Sequence, residues 1–489
     1  MDLKKQKLVY FIAAAVAGLL AYWFLGPMSG LAESGQRYIG ILVFIVIVWC
    51  TEAVSYPVSG FVLIVLMMFG EAAGKVSFNQ GLKTAVSGFA SATPLALLTA
   101  TAFAVVVKKT GLSERVVYKI MKLIAGKGYV TVNRFLATMF CIEVPLSILV
   151  PSTAARTVTY ISIIEGLAKS LGFKQLNENG EIVPGTNPNP IQRAMYIVTG
   201  VMPAITGAAF LTGAEATMLA GRLISEGTGA PQYWGLTFVY LFTPAMALMA
   251  AFYFIAIKTF PSSVQTLETS FVDERLKEMG PMSSGEKYCL FTFVVALVLW
   301  MTDKMTGMPA EAVLVIMAVM MFLPFIGPGS WKNDSKGLAW GSYVVVAVSL
   351  TFATALGKHG VMKLVANWVA SFGITSYIGI MFTLICVLVV LRIAIASHTG
   401  ATVLFVPLAI ELGKMAGFST PQLVALAWTI YVFCRAAYLL PQQSAQVIIV
   451  YDYGYFNRKD MINLGLRLTL AAMVIYMLWG NLALPYLAR

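Results

Sequence analysis

Two short polar clusters interrupt long apolar stretches. They carry hydroxyls, an imidazole and guanidiniums rather than a hydrolytic set. The first is Pro151-Ser152-Thr153-Ala154, with Arg156 just beyond it, and the second is Ala396-Ser397-His398-Thr399-Gly400, with Arg392 just before it. Short hydroxyl side chains substitute for missing backbone hydrogen bonds where a helix breaks, and they also donate to carboxylate oxygens. Two more interruptions follow, at Leu211-Thr212-Gly213-Ala214-Glu215-Ala216 and at Leu440-Pro441-Gln442-Gln443-Ser444-Ala445-Gln446. Together they suggest a small anion held by hydroxyls and freed backbone amides. The expected ligand contacts are Ser152, Thr153, Ala154, Thr212, Gly213, Ser397, His398, Thr399, Gln443 and Ser444. Arg156, Glu215 and Arg435 are the expected charge partners, with Glu143 available to Arg156. The bland readings are a Ser/Thr-bearing helix-packing surface and, for His398, a hydrogen-bonded packing residue.

The rest of the chain says what must hold these clusters. Of its 489 residues, 59% are hydrophobic and 11% charged, against about 25% charged in soluble domains. The deficit means that lipid is the main solvent, and many uncharged runs approach the roughly 20 residues a span needs. Expected spans are 8–25, 38–55, 57–70, 84–107, 194–226, 232–258, 288–303, 310–327, 338–357, 421–452 and 464–487. That makes about 11 transmembrane helices. Apolar segments 130–172 and 374–416 are expected to be re-entrant hairpins. The basic start Met1–Lys7 and the apolar run after it are read as a first span, not a cleaved signal. With the N-terminus inside, Lys4, Lys5, Lys7, Lys108–Arg134 and Lys258–Lys287 all fall on the cytoplasmic side of an inner membrane, as the positive-inside rule requires. That accounts for the net charge of +12 without nucleic acid. The five cysteines show no metal-ligand spacing. No HExxH, GxSxG or P-loop motif occurs, and Thr259–Glu286 is too short for a catalytic domain, so no enzyme is expected.

The two polar clusters belong to an internal repeat. Lys109-Thr110-Gly111, then Ser152, then Leu171-Gly172-Phe173 in the first half correspond to Lys358-His359-Gly360, Ser397 and Ala416-Gly417-Phe418 in the second. Ser152 to Phe173 and Ser397 to Phe418 both span 21 positions. The copies start on opposite sides of the membrane, so the repeat is inverted, an architecture that places transporter sites at interrupted helices near the midplane.

At these residues the chain resembles the divalent anion/sodium symporter family, the di- and tricarboxylate transporters. The resemblance covers Gly88–Ser91, Lys109–Leu112, both hairpins, and the closing Tyr451-Asp452-Tyr453-Gly454-Tyr455-Phe456 with Lys459-Asp460. That family carries Ser-Asn-Thr at each hairpin tip. The resemblance implies a homodimer in which a transport domain moves as an elevator across a scaffold. Substrate carboxylates rest on the tips, with sodium beside them near Ser152, Thr153 and Gly213. The expected division is scaffold 1–107, transport domain 108–226, scaffold 227–357 with cytoplasmic connection 259–287, transport domain 358–456, and a C-terminal helix 457–489.

The tips depart from the pattern. Thr153 and His398 replace the asparagines, and Ala154 removes a threonine hydroxyl. Imidazole is a poor partner for a hard cation, so coupling through sodium, coupling through protons and exchange without either all stay open; a protonated His398 would supply charge in sodium's place. The expected function is secondary transport of C4-type dicarboxylates or related anions. The alternative is a cation/proton antiporter, with Glu215 and His398 as exchanging groups.

Overall fold

The computed structural model describes residues 3–28, 30–72, 76–125, 129–150, 152–170, 190–261, 266–393, 395, 397–436 and 438–489. Pro151, Ala396 and Leu171-Gly172-Phe173 lie outside the described residues. The first half runs α1 (Leu3–Leu20, prolonged by a π turn), α2 (Glu33–Thr51), α3 (Tyr56–Ala72), α4 (Phe78–Ala85), α5 (Ala92–Thr110) and α6 (Leu112–Ala125). Strand β1 (Tyr129–Thr131) leads into α7 (Val132–Leu149), α8 (Thr153–Ser170), α9 (Pro190–Ala209), α10 (Glu215–Thr228) and α11 (Trp234–Thr259). After β2 (Thr266–Glu268) come α12 (Ser270–Glu278), α13 (Ser284–Met301), α14 (Ala310–Phe322), α15 (Trp331–Asp334), α16 (Trp340–Lys358) and α17 (Val361–Ala370). The chain ends with α18 (Tyr377–Leu391), α19 (His398–Met415), α20 (Thr420–Arg435), α21 (Ala445–Asp452) and α22 (Arg458–Leu482).

Among the described residues, eight helices are long and apolar enough to cross a bilayer: α1, α2, α5, α7, α11, α13, α16 and α22. The apolar α3 and α14 are shorter. The apolar segments around residues 150 and 395 each form two helices, as expected of hairpins. The expected spans 194–226 and 421–452 are each split into half-helices, α9/α10 and α20/α21. One small feature departs from an all-α reading. Residues 129–131 and 266–268 pair as an antiparallel ribbon, with Val130 opposite Leu267 and both buried. This alternation of buried and exposed residues is the period of a strand.

The repeat extends further than the three matched motifs. Helices α3 to α11 correspond in order to α14 to α22. A short 3₁₀ turn precedes α5 (Ser87–Ala90) and its counterpart α16 (Ser335–Gly337). Gly111 and Gly360 end α5 and α16 in left-handed backbone, at φ +83° and +78°, a conformation glycine adopts without steric cost. The packing is reciprocal. Helix α9 packs on α8 and α20 on α19; α10 packs on α19 and α21 on α8; α5 packs on α14 and α16 on α3; and α11 packs on its own counterpart α22. Exchanging the copies reproduces the contacts, as a pseudo-two-fold axis requires. Helix α11 also packs on α9, so a domain boundary at residue 227 separates it from the helices it touches.

The connection between α11 and α13 is clamped to α6. Arg115 Nε lies 2.5 Å from Glu286 Oε1, and its other nitrogens donate to the carbonyls of Gly280 and Met279. Lys122 pairs with Asp273 on α12 at 2.6 Å. Across the repeat, Lys109 Nζ sits 2.9 Å from Asp334 Oδ2, which also accepts the Ser330 amide at 2.7 Å. Burial pushes the Asp334 carboxyl up, but the Ser330 amide and Lys109 outweigh it and hold it below the ordinary carboxylate range. A depressed folded value gives stability that is present above the unfolded value of about 3.9 and lost as pH falls through the folded one. Asp334→Asn is therefore expected to lower the thermal midpoint of the solubilised protein near neutral pH. The gap to the parent should narrow as pH drops below about 4, and a gap of constant size would contradict the assignment.

Candidate functional site

Both hairpins turn at a serine that caps the helix it precedes. Ser152 Oγ accepts the Ala155 amide at 3.3 Å, and Ser397 Oγ accepts the Gly400 amide at 3.0 Å. Each cap meets one of the orphan donors of a helix N-terminus and leaves its neighbours free. The second halves of the split helices, α10 and α21, also begin in mid-body, after Ala214 and Ser444, with no side-chain cap. All four N-termini open onto one cavity of about 570 Å³: Ser152–Ala154, Ala214 and Glu215, Ser397–Thr399, and Ala445 and Gln446 line it. Each helix N-terminus is equivalent to roughly half a positive charge, and such ends bind anions.

The carbonyls stranded where the preceding helices stop are held by guanidiniums. Arg156 is fully buried and ion-paired to Glu143 at 3.0 Å. It donates to the carbonyls of Val150 (2.7 Å), Ser147 (3.3 Å), Gly213 (3.2 Å) and Pro203 (3.1 Å). It thus ties the first tip to the break between α9 and α10. Arg392 does the same in the second copy. It donates to the Ile395 carbonyl beside the tip and to the Gln443 carbonyl at 2.8 Å, in the break between α20 and α21. Arg435, at the end of α20, donates to Ala204 at 3.0 Å and Pro203 at 3.4 Å near the end of α9. Proline 203 has no N–H, which frees the Thr199 carbonyl four residues earlier; the Thr157 hydroxyl takes it at 3.3 Å. Backbone broken inside a bilayer must be satisfied within the protein, and here three arginines do most of that.

The structure separates the expected ligand residues into two layers. Ser152, Thr153, Ala154, Ser397, His398, Thr399, Glu215 and Arg435 line the cavity. Arg156 does not; it stands behind the first tip. Thr212 is buried and accepts the Trp234 indole N–H at 3.0 Å. Gly213 offers its carbonyl to Arg156. Gln443 is consumed internally, donating to the Arg392 carbonyl at 2.9 Å and accepting the Leu439 and Leu440 amides. Ser444 is buried away from the cavity lining. The second layer is held by the carbonyl-rich turns themselves, so its side chains brace the breaks. His398 sits with Nδ1 3.2 Å from Arg392 Nη2 and 3.3 Å from the Cys434 carbonyl, so a permanent cation already stands at this tip.

Several lining residues escaped the sequence reading: Glu52, Tyr56, Thr101, Trp340 and Ser342. They come from the end of α2 (Glu52), the start of α3 (Tyr56), the middle of α5 (Thr101) and the start of α16 (Trp340, Ser342). One signal was present: the carboxylate of Glu52 between two apolar runs.

The implied sodium can be tested against these donors. The oxygens a hard cation would need at the first tip, the carbonyls of Ser147, Val150 and Gly213, already accept guanidinium N–H groups, and those of Ile395 and Gln443 do so at the second. A fixed guanidinium thus already draws on these carbonyls at each tip, and its charge disfavours a second cation beside it. Among the described residues no group of three or more His, Cys, Asp or Glu side chains could hold a metal.

Known proteins agree with this architecture. The chain is 24% identical over 501 residues to a membrane protein of Cupriavidus necator, covering 97% of this chain and 92% of that one. It is 27% identical over 421 residues to the L-tartrate/succinate antiporters of Shigella flexneri and Escherichia coli strain K12, covering 83% of this chain and 81% of each. The fold is similar to the crystal structure of the Alcanivorax borkumensis YdaH transporter, with a TM-score of 0.51 and 12% identity over 87% of this chain and 97% of that one. Residues 5–488 match the family described as the sodium:sulfate symporter transmembrane region, and the chain belongs to that family of membrane transporters, the divalent anion/sodium symporters.

Proposed function

We propose that this chain is a secondary carrier that exchanges C4-type dicarboxylates or closely related di- and tricarboxylates without sodium. The observation that carries the reading is the convergence of four helix N-termini on one cavity while arginines hold the carbonyls of the helices that precede them. Positive partial charge thus faces the cavity, and the carbonyls that would draw in a metal cation are already engaged. The likeness to tartrate/succinate antiporters supports a carboxylate substrate and exchange as the mode. A cation antiporter would be poorly served by a cavity wall carrying Arg435.

The same reading assigns the motion. Hairpins α7/α8 and α18/α19, the split helices, and α11 with α22 form the moving body; α1 to α5, α13, α14 and α16 form the scaffold, in an elevator mechanism within a homodimer. With the N-terminus cytoplasmic in an inner membrane, Glu52, Tyr56 and Ser342 lie toward the cytoplasm, so the described state is inward-facing. Charge at the tips is fixed by Arg392 and Arg435, with His398 as a hydrogen-bonding lining residue.

Counterflow of radiolabelled succinate into proteoliposomes loaded with unlabelled dicarboxylate tests the function. Uptake should require the internal anion and be the same in sodium and potassium media. Uptake that needs sodium, or none in either medium, would refute the proposal. Arg156→Lys tests the role of the guanidiniums. One ammonium cannot serve four carbonyls and Glu143 together, and breaking a buried charged network of this kind costs about 3–5 kcal/mol. The variant should lose thermal stability and nearly all exchange. Arg435→Gln, at the cavity wall, should lose exchange with a smaller loss of stability, and equal exchange by Arg435→Gln and the parent would remove Arg435 from the site.

A further inference from the structure

Two carboxylates face a cavity read here as an anion site, and nothing above uses them. Glu215 opens α10, within the field of Arg435 and facing the Ser342 hydroxyl at the start of α16. Glu52 lies across the cavity, three residues beyond Trp49, whose ring packs against Gly400 next to the second tip. Tyr56, one turn further on, reaches the backbone of Ser397. Glu52 is exposed to the cavity and makes no hydrogen bond or ion pair to another described residue.

The backbone at Glu52 is the second observation. It ends α2 at φ +48°, and among the described residues every other position in left-handed backbone is a glycine. Glycine takes this conformation without steric cost and is the usual residue after a helix end. A glutamate held there keeps a side chain at the expense of backbone comfort, a pattern that clusters at functional sites.

An ionised carboxylate only accepts hydrogen bonds. Against a bare dicarboxylate, Glu52 and Glu215 have nothing to accept and add repulsion. Against a dicarboxylate bearing hydroxyls on its middle carbons, each has a donor to accept. An ammonium would satisfy them too, but Glu215 already lies in the positive field of Arg435, so a neutral donor suffices there. We propose that Glu52 and Glu215 are specificity-determining residues that accept hydrogen bonds from the hydroxyls of hydroxylated C4 dicarboxylates, so that the carrier selects malate- and tartrate-type anions over succinate. The inference rests on the dicarboxylate reading above and deepens it.

The test is half-saturation for counterflow of succinate, malate, tartrate and aspartate in proteoliposomes of the full chain. In the parent, malate and tartrate should half-saturate at concentrations about ten-fold below succinate, as suits a hydrogen bond to a charged acceptor in a wet cavity. Glu52→Gln and Glu215→Gln should each shrink that ratio, and the double variant should bring it to within about two-fold. Glu52→Gly separates recognition from folding: it should raise the thermal midpoint by relieving the left-handed backbone and still shrink the ratio. Equal half-saturation of succinate and the hydroxy acids by the parent, a ratio unmoved in both single variants, or aspartate preferred over malate would each overturn the proposal while leaving the carrier reading intact. Exchange of none of the four anions would overturn the carrier reading itself.

Discussion

Backbone that leaves a helix inside hydrocarbon must find its hydrogen bonds within the protein, and this constraint organises the molecule. The chain breaks its helices at four places near its centre, and each break strands carbonyls on one side and amides on the other. Arg156, Arg392 and Arg435 gather the carbonyls at the ends of the preceding helices. The amides are left at the N-termini, where only two serine caps partly fill them. The result is a polarised centre: acceptors are consumed behind the tips and donors are presented in front. A small anion is what such a cavity can hold. The same guanidiniums also rigidify each hairpin against its split helix, so the two copies behave as one braced unit.

The outline was legible in the sequence because lipid enforces it. Long uncharged runs and the matched Lys-Thr-Gly and Lys-His-Gly turns place spans and repeat without tertiary information. The tips were legible for the same reason, since Ser152 and Ser397 are conspicuous within apolar sequence. What could not be read was which polar residue faces the cavity and which faces the break behind it. Thr212, Gln443 and Ser444 look like cavity residues by composition. Their turns curl inward, however, and the Trp234 indole and the Leu439 and Leu440 amides claim the first two. Arg156 was placed one turn from Ser152, which is correct along the helix. Yet Glu143 on the preceding hairpin helix draws it away from the cavity. The wall formed by Glu52, Tyr56 and Ser342 was invisible because Ser342 lies far along the chain from the other two, and they meet only when α16 packs on α3.

The ribbon between β1 and β2 shows the limit of composition-based reading in the other direction. Three residues on each side, with Val130 and Leu267 turned inward, are too few to register against a 489-residue apolar background. Together with Arg115 and Lys122 they fasten the connection before α13 to α6 and to the base of the first hairpin.

A guanidinium built into the chain cannot be released to either side of a membrane. In the sodium-free exchange proposed above, a carrier with fixed positive charges of this kind draws no free energy from a sodium gradient when it turns over. Its driving force is then the difference in concentration of the anions it swaps. At long times such a device would bring the inside-to-outside ratios of all its like-charged substrates to one common value. The accumulation of any one anion is then set by the metabolism that produces and removes the others.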